Sequence, residues 1–104
     1  MDTNKYKVII LLLKQLGMQI DFKQSATFNH LIAQYYKNDI KLITLSAFHA
    51  KSPEGFDSIY LVNLSLNNTN YTYSLSDENE FIININELIN KIKNFIERLN
   101  KNGF

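Results

Sequence analysis

The chain reads as an α+β domain: an antiparallel meander of four or five strands flanked by an N-terminal and a C-terminal helix. Three observations predict this. Apolar residues recur at helical spacing at both ends. Between those ends they alternate with polar residues at period two. Short Asn/Asp-rich turns separate the alternating runs. A length of 104 residues fits one domain spanning 1–104, with a modest core.

The first helix runs from about Asn4 to Leu16, with Thr3 or Asn4 as N-cap and Gly17 at the left-handed position past its end. Tyr6, Ile9, Ile10, Leu13 and Leu16 line one face. Val8, Leu11 and Leu12 fall largely on another. A surface helix of a small domain normally buries one stripe. This helix asks for cover twice. The second cover is either the other terminal helix or a partner, which is a second copy or a different protein.

Met18–Lys23 alternates as a half-buried strand: Met18, Ile20 and Phe22 point one way, and Gln19, Asp21 and Lys23 the other. Residues 27–37 fit two patterns. Phe28, Leu31, Ile32, Tyr35 and Tyr36 make a helical stripe. The run from Tyr35 to Ile43 also has the form of a hairpin turning at Asn38-Asp39, which tolerates positive φ. The hairpin is the favoured reading, with strands at about 28–36 and 40–49. Its turn sets His30 opposite Ala47 and Phe28 opposite His49. Lys51–Asp57 is the one mid-chain loop with Pro and Gly. Ser58–Leu66 and Tyr71–Ser76 form the clearest hairpin, with a four-residue loop at Asn67–Asn70 pairing Leu66 with Tyr71 and Leu64 with Tyr73. Ile59 and Leu61 take the opposite face, as in a central strand covered on both sides. The last helix runs from about Ile85 to Lys101. Asn84 caps it, Glu87 stands three residues on, and the stripe is Ile85, Leu88, Ile89, Ile92, Ile96 and Leu99.

Composition narrows the function. The formal net charge is +1, from 11 basic and 10 acidic residues, so no global field draws the chain to nucleic acid or anionic membrane. Cysteine is absent, which removes disulfides, thiolate metal sites and cysteine nucleophiles, and favours a reducing, cytoplasmic setting. The start resembles a signal peptide only in outline. Its apolar run Val8–Leu13 is six residues, short of an export signal and far short of the roughly 20 residues needed to span a bilayer, so no membrane role is expected. Asn, Ile, Lys, Phe and Tyr make up 50 of the 104 residues, against 9 for Gly, Ala, Pro and Arg. The first set has AT-rich codons. The source is therefore expected to be an AT-rich genome, bacterial or phage.

Candidate chemistry is sparse. In the turn-set register His30 and His49 are diagonal neighbours able to share a metal or proton, with Asp57 or Glu54 as a third group. Ser25, Ser46, Ser52 and Ser58 lack a nucleophile-elbow context, and three scattered glycines make no phosphate loop. No catalytic, cofactor or metal residue is assigned. The sequence favours a small non-enzymatic binding or regulatory protein acting by protein–protein contact, through Val8, Leu11 and Leu12 or through Tyr60, Tyr71 and Tyr73 if their sheet face is open. The alternative is nucleic-acid association through Tyr35, Tyr36, Lys37 and Lys41 at a hairpin tip, helped by Lys91, Lys93, Arg98 and Lys101.

Overall fold

The computed structural model describes residues 4–52 and 57–102. Helix α1 spans Asn4–Gln15. Five strands follow: β1 Gln19–Gln24, β2 Phe28–Lys37, β3 Ile40–Lys51, β4 Ser58–Leu66 and β5 Thr69–Leu75. Helix α2, Glu78–Lys101, closes the chain. The sheet is fully antiparallel in the order β1-β2-β3-β4-β5, so every strand pairs only with its neighbours in sequence. Of residues 27–37, which fit two patterns in the sequence, Phe28–Lys37 are strand and Thr27 lies in the bend before them. Thr3, Glu54 and Gly103 lie outside the described residues.

Both helices pack on one face. The core joins Tyr6, Ile9 and Leu13 of α1 and Phe81, Ile85, Leu88, Ile92 and Ile96 of α2 to Leu31, Ile43, Leu45, Val62 and Leu64 of the sheet. Gly17 ends α1 at φ +89°, a conformation that L side chains rarely adopt, and its open side meets the Tyr35 ring.

The β2–β3 hairpin turns at Asn38-Asp39, both with positive φ, as a two-residue turn requires. Near the turn Lys37 opposes Ile40 and Tyr36 opposes Lys41, as the turn dictates. The register then shifts at Tyr35/Tyr36, and Leu42 is the extra residue of a β-bulge. From there Tyr35 opposes Ile43 and His30 opposes Phe48. The cause is burial. Without the bulge, Thr44, Ser46 and Phe48 would share the helix-covered face with Leu31 and Ala33. With it, Ile43, Leu45 and Ala47 do, and all three are fully buried. Leu42 is buried too, and its carbonyl accepts the Asn67 N–H at 2.7 Å, so the next hairpin turn pins the bulge.

Two other boundaries differ from expectation. The β4–β5 turn is two residues, Asn67-Asn68, with Asn67 at φ +55°, so Leu66 opposes Thr69 and Leu64 opposes Tyr71. The slip is two residues, and each side chain keeps its face. Helix α2 begins at Glu78, well before Ile85. Asp77 is its N-cap, accepting the Glu80 N–H at 3.1 Å, while Asn84 lies inside the helix and donates its amide to the Glu80 carbonyl at 2.7 Å. The added turns bury Phe81 completely. β4 is an interior strand, paired with β3 on one side and β5 on the other, but its outward residues Ile59 and Leu61 are exposed rather than covered.

In urea denaturation, Asp77→Ala is expected to lower the unfolding free energy by about 1 kcal/mol. Phe81→Ala is expected to lower it by about 3–5 kcal/mol. A Phe81→Ala loss no larger than that of the cap variant would contradict the anchoring role of α2's first turns.

Candidate functional site

Three regions gather the side chains with most to offer. The first is buried. Asn29, His49 and Tyr60 form one row across β2, β3 and β4, facing the helices. The His49 ring stacks on Tyr60 at 4.0 Å between centroids, and Tyr60 on Phe81 at 4.6 Å. Tyr6 of α1 contacts Phe81 at 6.1 Å and Phe22 at 5.1 Å. An aromatic series thus ties both helices to β1, β3 and β4. Lys5 closes its outer end, paired with Glu78 at 3.0 Å and lying 5.6 Å from the Tyr6 and Tyr60 ring centres.

The polar atoms of this row lack protein partners. The Tyr6 hydroxyl, both amide atoms of Asn29 and both ring nitrogens of His49 are buried without a protein hydrogen bond. The Tyr6 hydroxyl lies close enough to Asn29 for the amide to ease its ionisation, yet short of hydrogen-bond geometry. Burial nonetheless dominates and pushes the Tyr6 phenol up, with Tyr60 and Glu78 adding to it. Burial also raises Tyr60. His49 is pushed down to about 4, first by burial, then by Lys5 and Lys51, with Glu78 opposing. At neutral pH the row is therefore uncharged.

The second region is the outer face of α1. Val8 and Leu11 are 59% and 57% exposed. Helix α2 lies on the same side of the sheet without covering them. Leu12 is also exposed, and it borders a groove of about 460 Å³ between the helices with Leu16 and Ile89 at its base and Gln15, Asn86 and Lys93 on its rim. The sheet tyrosines are not a comparable surface. Tyr60 is buried, and Tyr71 and Tyr73 are half-buried toward the helices, so an interface through Tyr60 is overturned by the layer packed on it.

The third region is the sheet face opposite the helices. No described element covers it. Its first row is Phe28, Ala50 and Ile59, and its second His30, Phe48, Leu61 and Ser74. Phe28 stacks on Phe48 at 6.0 Å, and His30 meets Phe48 edge-on at 5.5 Å. The third row is Ile32, Ser46, Asn63 and Thr72, and the fourth Gln34, Thr44, Ser65 and Asn70. His30 Nε2 shares a hydrogen bond with Ser46 Oγ at 3.1 Å, and Thr72 donates to Asn63 at 3.0 Å. Across β2 to β5 these rows carry no charged side chain. Charge appears only on edge strand β1, as Asp21 and Lys23, and beyond the bulge, as Lys41.

This arrangement overturns the histidine pairing. The bulge puts His30 on the open face and His49 on the covered one, so they cannot share a metal or proton. Among the described residues no three His, Asp or Glu side chains gather as a metal site would need. Tyr35 and Tyr36 also part: Tyr35 turns toward Gly17, and Tyr36 stays on the open side. Lys37 reaches α2 instead, donating to Asn100 at 3.2 Å. Ile59 and Leu61, the outward apolar residues of an alternating strand, suggest cover on both sides in the sequence, and the structure instead leaves them on this open face.

No family model, curated protein or solved structure matches the chain. Among the described residues no helix is long and apolar enough to cross a membrane.

The buried histidine makes stability pH-dependent. Unfolded, His49 titrates near 6.5; folded, near 4. Between these values the unfolded chain binds the extra proton, so stability falls as pH falls from 6.5 to 4. The full drop is at most about 3 kcal/mol. Urea melts across that range are expected to show this slope in the wild type and its loss in His49→Phe. An unchanged slope in the variant would remove His49 as the cause.

Proposed function

We propose that the chain is a small non-enzymatic contact protein that acts by binding another protein stoichiometrically, in the manner of inhibitors, immunity proteins and mobile-element accessory factors. The observation that carries this reading is the outer stripe of α1. Val8 and Leu11 stay more than half exposed although α2 lies on the same side of the sheet. Leaving large apolar side chains in water forgoes about 1.5–3 kcal/mol each. A contiguous apolar stripe beside a groove with an apolar base and a polar rim is the surface a partner's amphipathic segment needs. Beyond Lys5, which is paired with Glu78, helix α1 carries Lys7 and Lys14 and no acidic residue, so the matching segment is apolar with acidic flanks.

A second reading is association with nucleic acid, favoured by one specific grouping. The Lys37–Asn100 contact brings the β2–β3 hairpin tip against α2. Beside β5, on the same helix, Lys91 lies 5.0 Å over the Tyr71 ring, and Arg98 and Lys101 line the same groove of about 580 Å³. Glu97 lines it too, and cations near a helix C-terminus also serve the helix dipole. These two facts rank this reading second.

Pull-down from an AT-rich bacterial host, with the wild type and with Val8→Glu plus Leu11→Glu as bait, separates the readings. One protein retained in near-equal amount by the wild type and lost with the double variant is the expected result. Retention indifferent to the double variant would remove α1 as the contact. For the second reading, the absence of any salt-dependent oligonucleotide shift would dismiss it, and a shift unaffected by Lys37→Glu plus Lys41→Glu would remove the hairpin tip from it.

A further inference from the structure

We infer that the open sheet face is a self-association surface, on which a second copy of this chain packs face to face. The inference rests on the reading of the chain as a contact protein, but it uses a surface separate from α1.

The face has the anatomy of an interface. Its centre lacks charge, its aromatic and aliphatic residues cluster, and its charged residues sit at the rim on β1 and beyond the bulge. A surface built to stay in solvent is designed with about 25–35% charged residues. Ile59 and Leu61 are 44% and 43% exposed on this face.

The size also fits. Five strands at about 4.8 Å spacing and nine residues at about 3.3 Å rise give a face of about 24 by 30 Å. That is about 700 Å² per chain, or about 1,400 Å² for the pair, within the roughly 1,200–2,000 Å² of stable specific interfaces.

Three features select a second copy over a different protein. A two-fold contact sets the face against itself, so a charged face would repel its copy; this one is uncharged across β2 to β5. The chain as a whole is near neutral, at +1. The third feature is the gradient along the strands, from the apolar Phe28 row to the polar Gln34 row. A two-fold axis lying along the middle strand β3 preserves that gradient. It sets each row against the same row of the copy, apolar on apolar and polar on polar. β2 then faces the copy's β4, β1 faces its β5, and Phe48 lies beside its own equivalent. Strand directions stay aligned, as in packed sheets generally.

The test is solution mass by light scattering at concentrations up to about 100 μM, above the micromolar range in which standard-size interfaces hold. The wild type is expected at the mass of two chains. Leu61→Glu, at an exposed position, is expected to run as one chain with unchanged circular dichroism, and Leu11→Glu to remain paired. Because the chain has no cysteine, Ser46→Cys on β3 adds a single thiol near the axis. A bis-maleimide spanning about 10 Å, the separation of packed sheets, is expected to link two such chains. Asn90→Cys on the exposed side of α2 is expected not to link. A single-chain mass for the wild type overturns the inference and leaves the α1 reading intact. A pair that survives Leu61→Glu, or that Leu11→Glu splits, overturns it by placing the contact elsewhere.

Discussion

The rest of the structure depends on one extra residue, Leu42. Two demands on the β2–β3 hairpin conflict. The tight turn at Asn38-Asp39 sets one register, and the burial of Ile43, Leu45 and Ala47 sets another, one residue away. Because side chains alternate, a one-residue slip exchanges the two faces of everything beyond it. The bulge at Leu42 absorbs the difference, so the turn and the core are both satisfied. The hydrogen bond from Asn67 to the Leu42 carbonyl ties the following hairpin to that solution. The composition of both faces of β3, β4 and β5 follows from it.

The covered face then has to accommodate a histidine and an asparagine. Asn29 shares the inward face of β2 with Leu31 and Ala33, and His49 joins it because the bulge turns the odd-numbered residues of β3 inward. The chain stacks His49 on Tyr60 and Tyr60 on Phe81, and closes the end with the Lys5–Glu78 pair. Their polar atoms nonetheless have no protein partner, at a cost of about 1–3 kcal/mol for each such group unless water reaches it. A small domain has a net stability of only about 5–15 kcal/mol against which to set that. The row is thus the softest part of an otherwise apolar interior.

Much of this was legible in the sequence, and the failures have definite causes. Gly17, the Asn38-Asp39 turn and the period-two alternation act locally, and each led to the correct element. The helix α2 start was missed because Asn84-x-x-Glu87 imitates a capping box, while Asp77-x-x-Glu80 is the pair in use. The register of β3 was read from the turn alone, which is a local signal. The consecutive apolar residues Leu42-Ile43, followed by Thr44 and Ser46 out of phase with Leu31 and Ala33, carried the correction. Tyr60 resembles a surface anchor in the sequence because alternation separates two faces without saying which one the helices cover. The outer stripe of α1 was visible from its residues, but whether α2 would cover it depended on how the helices sit on the sheet.

Pairing each strand only with its chain neighbour has a consequence during synthesis. All four strand pairings join adjacent segments, and such local contacts form early. The tie between Lys5 and Glu78, by contrast, spans 73 positions. A nascent chain can thus complete its sheet while residues 78–101 are still being added. In that interval the inward faces of β4 and β5 have no roof, and the growing polypeptide shows hydrophobic surface on both sides of the sheet. Its solubility at that stage rests on how quickly the last helix follows.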